Sequence, residues 1–543
     1  MKVTTERFED NARAALADER LAVAMGRATT QFIAKRAAAV ADFPDFERLR
    51  SICAAVKAHT LEHLDAYVER FADALEAVGG QVHFAADAAE ANAIVVRLAQ
   101  ERGVRSVVKG KSMVSEETGL NAALSAAGIT PYETDLGEYI LQLEDDVPSH
   151  IIGPAIHKTR EQITALFHER LGTPSDASVE ALTAAARAEL RKRFLEADMG
   201  ITGANFLVAE SGGVVLVENE GNIRLSTSVP RVHVAVVGFE KLIPRRADLP
   251  GFLALLPRSA TGQRASSYVS ILEGPRRKGE PEGPEEVHVV LVDNGRSAVL
   301  ADPKLRDALR CIRCGACLNA CPVYRQVGGH AYGWVYSGPI GAILDPGLLG
   351  LERTSKLPQA SSLCGACGEV CPVKIPIPDL LVEHRRRSVQ RGMSLPGERP
   401  ALAGFGYLTA HPALYEATTA GARWAAQALA GDGYLRGAWL PVLGRWLAER
   451  DFPAPAKRSF RRIWREELAG ERRSRAATTA VAGGDDGGKR TGSGNHLRSD
   501  ASGDPVAEDV SEHGSEHGSE HGAEHGAEHG ADLGRDPGAG HGP

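Results

Sequence analysis

Hydrophobic positions in the first 78 residues recur with the period of a helix. Phe46, Leu49, Ile52, Val56 and Leu61 fall near helical spacing among Ala, Leu, Glu and Arg, and Gly79-Gly80 ends the pattern, so residues 1–78 are expected to be helical. From Gln81 the period shortens. Short β-rich runs at 81–84, 105–108, 214–217 and 232–237 alternate with helical stretches at 87–102 and 179–195, the pattern of a layered α/β domain over residues 79–300. The polar run RRKGEPEGPEE at 276–286 reads as a surface loop within it. Residues 386–470 return to helix formers and hold Trp424, Trp439, Trp446 and Trp464, expected on helices packed on the core or on a partner. Beyond Gly470 there is no Phe, Trp or Tyr, and 17 of the 58 glycines lie in 470–543. Such a stretch buries too little surface to offset its ordering entropy, so residues 471–543 are expected to be disordered.

No uncharged apolar run approaches the roughly 18 residues a bilayer span requires. The opening MKVTTERFED lacks the basic start, apolar stretch and cleavage site of a secretory signal. A cytoplasmic location is therefore expected, where thiols stay reduced. The formal net charge is −7, from 63 basic and 70 acidic residues, which gives little reason to seek nucleic acid or an anionic membrane. That average is unevenly held: from Asp500 onward eleven acids face the single base Arg535, so 500–543 carries −10 and residues 1–499 sum to +3. The same stretch repeats Ser/Ala-Glu-His-Gly five times at 511–530, a pattern open to nickel or zinc binding or to plain solvated low complexity.

Seven of the eight cysteines fall between Cys311 and Cys371. Cys311-Ile-Arg-Cys314-Gly-Ala-Cys317-Leu-Asn-Ala-Cys321-Pro322 is a complete C-x2-C-x2-C-x3-C-P run, the bacterial ferredoxin pattern. Closely spaced thiolates on one tight turn grip three irons of a cubane, and Gly315 and Ala316 keep side chains away from the sulfides. In two-cluster ferredoxins the fourth cysteine serves the other cluster, which requires a second run. Cys364-Gly-Ala-Cys367-Gly-Glu-Val-Cys371-Pro372 supplies its last three positions, with Ser361 at the missing first. By this exchange, cluster 1 takes Cys311, Cys314, Cys317 and Cys371, and cluster 2 takes Cys321, Cys364 and Cys367. Two [4Fe-4S] clusters ask for eight ligands and seven cysteines are present. The eighth is the Ser361 oxygen, another non-cysteine ligand or a partner's group, or the second cluster has three irons. Structural zinc, with four ligands per site, does not explain two Pro-terminated runs. Cys53, on an amphipathic helix, reads as a small buried hydrophobe unless that helix packs against a cluster.

Other motifs carry less. Lys109-Gly110-Lys111-Ser112 ends like a P-loop, but Arg105 stands where the first glycine is required. No G-x-G-x-x-G follows a predicted strand, so a nucleotide hydride acceptor is not expected and dehydrogenation falls to a partner. Lys109, Lys111 and Ser112 in one turn, and Glu210 and Ser211 in another, are candidate anion-binding residues; tight strand connection is the alternative reading. His150, His157 and His233 read as structural histidines. Lys374, Arg385, Arg386, Arg387 and Arg391 form a basic run that offsets anionic clusters, docks an acidic partner or simply faces solvent.

VKGKSMVSEETGLN at 108–121, ETDLGEYILQ at 133–142, PSHIIGPAIH at 148–157, NEGNIR at 219–224 and the two cysteine runs together resemble the lactate-utilisation iron-sulfur LutB family. The resemblance implies an N-terminal LUD domain of the NagB/RpiA-like α/β superfamily, a mostly α-helical two-cluster ferredoxin-like domain at 301–385 and a helical C-terminal region. It further implies an electron carrier in the oxidation of L-lactate to pyruvate, working with LutA-type and LutC-type partners. The family's cluster ligands fall on the same seven cysteines, with the same three-cysteine second site. The alternative is a LUD-domain enzyme acting on its own organic acid or anionic substrate through Lys109, Lys111 and Glu210. The His-rich tail has no expected counterpart.

Overall fold

The computed structural model describes residues 3–393, 397–430, 432–436, 444–447 and 450–470. The described residues as far as Leu408 form one compact unit and those from Thr409 a second.

Ten strands in the first unit build two sheets: β1 (Gln81–Ala85), β2 (Ser106–Lys109), β3 (Thr130–Glu133), β4 (Met199–Thr202), β5 (Phe206–Val208), β6 (Gly213–Glu218), β7 (Val232–Gly238), β8 (Leu242–Ile243), β9 (Tyr268–Leu272) and β10 (Glu286–Val292). The larger sheet has the order β1-β10-β7-β4-β2-β3 and every pairing is parallel. The mixed α/β expectation is met with a parallel sheet at its centre. Parallel strands covered on both faces read as continuous apolar runs, and β7 (VHVAVVG) is buried at all seven positions. Val232, Val234 and Val236 join the core under the helices Ala88–Glu101 and Leu120–Ala126, while Ala235 and Val237 join the core on the opposite face. The smaller sheet runs β8-β5-β6-β9, with β6 antiparallel to both neighbours.

Leaving β2, the chain goes outward to β3 and then returns to β4 on the other side of β2. Such a reversal opens a crevice at the carboxyl ends of the two strands. The strands end there at Lys109 and Thr202, followed by Gly110 and Gly203.

The first 78 residues are helical, at Phe8–Leu16, Glu19–Ala41, Phe46–Glu62 and Leu64–Ala77, with Asp18 capping the second helix through the Arg20 and Leu21 N-H groups. These helices are not a freestanding region. Arg36 donates to the Val370 carbonyl at 3.1 Å, Arg50 to the Cys371 carbonyl at 3.0 Å, and Thr5 to the Arg353 carbonyl at 2.7 Å. They therefore clamp the cysteine-rich segment, which carries short helices and no strand among its described residues.

In the second unit the main element is the helix Pro412–Leu429, followed by the short pairing of 434–435 with 452–453. Trp424 is 76% exposed among the described residues. The side chains of Trp439 and Trp446, and the 471–543 tail with its expected disorder, lie outside the described residues. Among the described residues no helix is long and apolar enough to cross a membrane.

Candidate metal centre and adjoining cavity

The two cysteine runs use the same turn twice. The residue before the first cysteine of each Cys-Gly-Ala-Cys is left-handed, Arg313 at φ 60° and Leu363 at φ 55°, and the glycine follows suit, Gly315 at 72° and Gly365 at 86°. Each turn leads into a short helix, Ala316–Ala320 or Ala366–Glu369. Only glycine adopts that region without strain. Backbone N-H groups point at sulfur in and after these turns: Arg313 donates to Cys311 Sγ at 3.4 Å, Tyr324 to Cys321 Sγ at 3.5 Å and Ile375 to Cys371 Sγ at 3.4 Å.

Cys311, Cys314, Cys317 and Cys371 line one small cavity, whose remaining walls include Ile151, Ile312, Ile340 and Ile377. Three come from the first run and one from the second. Burial is the main influence raising the Cys314 and Cys317 thiols, and the neighbouring sulfurs raise them further. Four thiolates in an aliphatic pocket repel one another unless a cation sits among them, so this all-sulfur donor set fits an iron-sulfur cluster. Cys321 gathers with Cys364 and Cys367 instead. Burial, then Cys321, pushes the Cys367 thiol up to about 11. Cys364 is exposed, and its thiol is lowered chiefly by the Ala366 N-H and then by the Ser362 hydroxyl.

The Ser361 hydroxyl accepts from the Leu363 N-H at 3.1 Å, and its carbonyl accepts from Arg385 at 2.8 Å. Arg385 also holds the Pro358 carbonyl at 2.8 Å, which tethers the loop leading to Cys364. The rest of the basic run is likewise paired within the chain: Lys374 with Glu47 at 2.5 Å, Arg386 with Glu383, Arg387 with Glu383 and Asp302, and Arg391 with Glu352. Cys53 is buried against Gly251, and burial pushes its thiol up to about 12. Its helix does meet the cysteine-rich segment, but through Glu47, Arg50 and Ser51 rather than through Cys53.

A larger cavity of ≈ 530 Å³ opens at the crevice between β2 and β4. Lys111 and Ser112 line it, together with Asp135, Glu218, Glu220 and Asn222. Lys109 does not. It is fully buried and held by Glu133 at 2.8 Å, Glu116 at 3.0 Å and Ser115 at 3.1 Å. Lys111 pairs with Asp135 at 3.2 Å and donates to the Ile152 carbonyl at 2.8 Å. Glu210 and Ser211 belong to the β5–β6 turn and are not among the lining residues; Glu210 accepts from the Arg246 N-H at 2.9 Å.

The cavity also touches residues that sequence reading did not single out. Arg313, inside the first cysteine run, lines it with Lys241 and Tyr336, and Ile151 lines both this cavity and the cysteine pocket. Behind Arg313 lies a buried charge network. Arg296 holds Glu117 at 2.7 Å and Glu240 at 2.7 Å, Tyr336 donates to Glu117 at 2.6 Å, and Arg313 reaches Glu240 at 3.3 Å over the Tyr336 ring. The paired cations hold the Glu240 carboxylate at about 2 against the opposing effect of burial. Asp345 is fully buried with neither oxygen hydrogen-bonded, and burial holds its carboxyl well above the ordinary range. No local motif signals this network, because its members converge from positions 117, 240, 296, 313 and 336.

The histidines are structural in their contacts. His150 Nδ1 accepts from the Ile152 and Gly153 N-H groups, so Nε2 carries the proton and donates to Asn319 at 3.2 Å. That bond ties the 148–157 loop to the first cysteine run. Asp146, His157 and His330 bring ligand atoms within 4.8 Å of one another, but the Lys158 ammonium sits 2.8 Å from Asp146 and supplies the cation there.

Residues 68–292 match the LUD domain, 307–375 a 4Fe-4S dicluster domain and 387–469 the C-terminal domain of lactate utilisation protein B. Lactate utilization protein B of Bacillus licheniformis is 45% identical over 477 residues, covering 87% of this chain and 99% of the relative. The chain belongs to the lactate utilization protein B family. A second relative, the uncharacterized electron transport protein YkgF of Escherichia coli, is 42% identical over 479 residues with the same coverage. A solved DUF162 family structure from Deinococcus radiodurans aligns at 15% identity over 42% of this chain and 98% of that one, with a TM-score of 0.23 on which nothing rests.

Proposed function

We propose that the chain is an iron-sulfur electron carrier in the oxidation of L-lactate to pyruvate. The observation that carries this reading is the exchange of cysteines between the two runs, which leaves a four-sulfur group and a neighbouring three-sulfur group. Cys311, Cys314, Cys317 and Cys371 hold one [4Fe-4S] cluster, and Cys321, Cys364 and Cys367 hold the second. The second is completed by a non-cysteine ligand such as Ser361, or contains three irons. Membership of the lactate utilization protein B family supports the substrate, and the name of the Escherichia coli relative supports electron transport.

Oxidising a 2-hydroxy acid releases two electrons while each cluster passes one, so a pair of clusters suits a two-electron donor. The chain's own residues shape that role. The isoleucines around the four-sulfur pocket exclude water, and the N-H groups of Arg313, Tyr324 and Ile375 stabilise charge on sulfur. Exposure of Cys364 brings the second group to the surface, where a redox partner docks. The partners are of the LutA and LutC types, the compartment is the cytoplasm, and the parallel-sheet domain is NagB/RpiA-like.

Anaerobically purified protein is expected to contain iron and sulfide for two clusters, with two EPR signals on stepwise reduction. Cys314→Ser and Cys367→Ser are each expected to abolish lactate-dependent growth while the protein is still made. Unimpaired growth in both variants would sink the proposal. The ≈ 530 Å³ cavity favours a second reading, in which the LUD domain acts on an organic acid itself. Lactate oxidation by the purified chain alone with a dye acceptor would support that reading over a pure carrier.

A further inference from the structure

We infer that the cavity at the β2–β4 crevice binds a small monocarboxylic acid, with its carboxylate received by Arg313 and Lys241 on the wall next to the first cysteine group. The place is where open α/β sheets take ligands, and ≈ 530 Å³ is the size of a small-molecule site. Two polar groups contribute to the lining. The first, Lys111, Asp135, Glu218 and Glu220, is occupied by its own hydrogen bonds: Lys111 with Asp135, Glu218 with the Ile223 and Arg224 N-H groups, and Glu220 with the Leu136 N-H.

The second group is short of acceptors. Arg313 is 8% exposed and its Nη1 has no hydrogen-bond partner. Lys241 is 7% exposed and makes no ion pair within the described residues. Arg296, Arg313 and Lys241 face the carboxylates Glu117 and Glu240, with Asp345 near Arg313 and its carboxyl pushed by burial well above the usual range, while the Lys57 amine is held by the Glu240 and Leu242 carbonyls and burial lowers it to about 7. A buried positive surplus calls for an anion. A guanidinium fixed over an aromatic ring presents its nitrogens in the plane a carboxylate needs. The three carboxyl groups in the same lining disfavour a second negative charge, so a phosphate or dicarboxylate fits poorly. They do accept from a hydroxyl or amino group, and much of the remaining lining is aliphatic, including Ile152, Ile156, Ile223 and Leu216. The competing role for Arg313 and Lys241 is to balance the charge of the first cluster alone.

Calorimetric titration of anaerobically purified, iron-loaded full chain separates these roles, with L-lactate, glycolate, L-lactamide and inorganic phosphate as probes. Saturable binding of lactate or glycolate is expected, with no binding of lactamide and weaker or no binding of phosphate. Arg313→Gln and Lys241→Gln should each weaken binding by roughly tenfold or more. Ala28→Phe, which fills the cavity from the helix Glu19–Ala41 without touching a charge, should abolish it with iron and sulfide unchanged. If Arg313→Gln loses iron, Lys241→Gln and Ala28→Phe carry the test. Absence of carboxylate binding, equal binding of lactamide, tighter binding of phosphate, or wild-type affinity in both Lys241→Gln and Ala28→Phe would overturn the inference. Iron counts test the carrier role and ligand titration tests this site, so either can fail alone.

Discussion

Gly315 and Gly365 occupy equivalent places in the two cysteine turns, yet their surroundings differ. Both sit at positive φ, which costs an alanine about 1–2 kcal/mol. A Cβ on Gly315 would also stand 3.2 Å from Ile152 and 3.3 Å from His150, whereas one on Gly365 would meet nothing within 4 Å. Gly315→Ala is therefore expected to lower the melting temperature and the iron content more than Gly365→Ala; equal effects would show that backbone strain alone matters. The two glycines were legible in the sequence because cysteine spacing is a local pattern, read within one turn. Arg313 was hidden inside the same run, because its significance depends on Glu240, Lys241 and Tyr336, which only the fold brings to it.

At the level of elements, β7 places His233 fully inside the parallel sheet, where Nε2 meets Thr202 Oγ1 at 2.9 Å and Nδ1 has no partner. Burial lowers its pKa from the ordinary 6.5 to about 3. Between those values the unfolded chain binds a proton that the folded chain does not. Stability from this residue is thus complete above the unfolded value and falls as pH drops below it, by about 1.4 kcal/mol per pH unit. His233→Gln should lose about 2 kcal/mol of the stability difference between pH 7 and pH 5 in urea denaturation; an unchanged difference would refute the assignment. The loop to Cys364 offers a second test, since Arg385 ties both the Pro358 and Ser361 carbonyls. Arg385→Ala is expected to reduce iron toward that of a single cluster, with loss of one EPR signal and retention of the other. Strands β1, β2, β6 and β7 were readable from their apolar runs, while β3, β4, β5, β8, β9, β10 and the parallel order were not, because register and neighbours are set by packing between segments far apart in sequence.

Over the whole molecule, charge is unevenly divided along the chain. Residues 471–543 hold fourteen acids and seven bases, so the entire net charge of −7 belongs to them and residues 1–470 sum to zero. Among the described residues, the interactions that assemble the cysteine groups and the cavity come from residues before 409: the helices of the first 78 residues, the two sheets and the segment around Cys311–Cys371. Cluster loading and the cavity should therefore not depend on the acidic His-rich tail. A chain ending at residue 470 is expected to carry the same iron and sulfide per chain as the full protein and to support the same lactate-dependent growth. It should also elute from an anion exchanger at lower salt, since the lost stretch supplied the excess negative charge. Loss of iron on truncation would instead assign the Glu-His repeats a part in metal delivery, and a nickel or zinc titration of the full chain against the truncated one would then show stoichiometric binding that only the repeats provide.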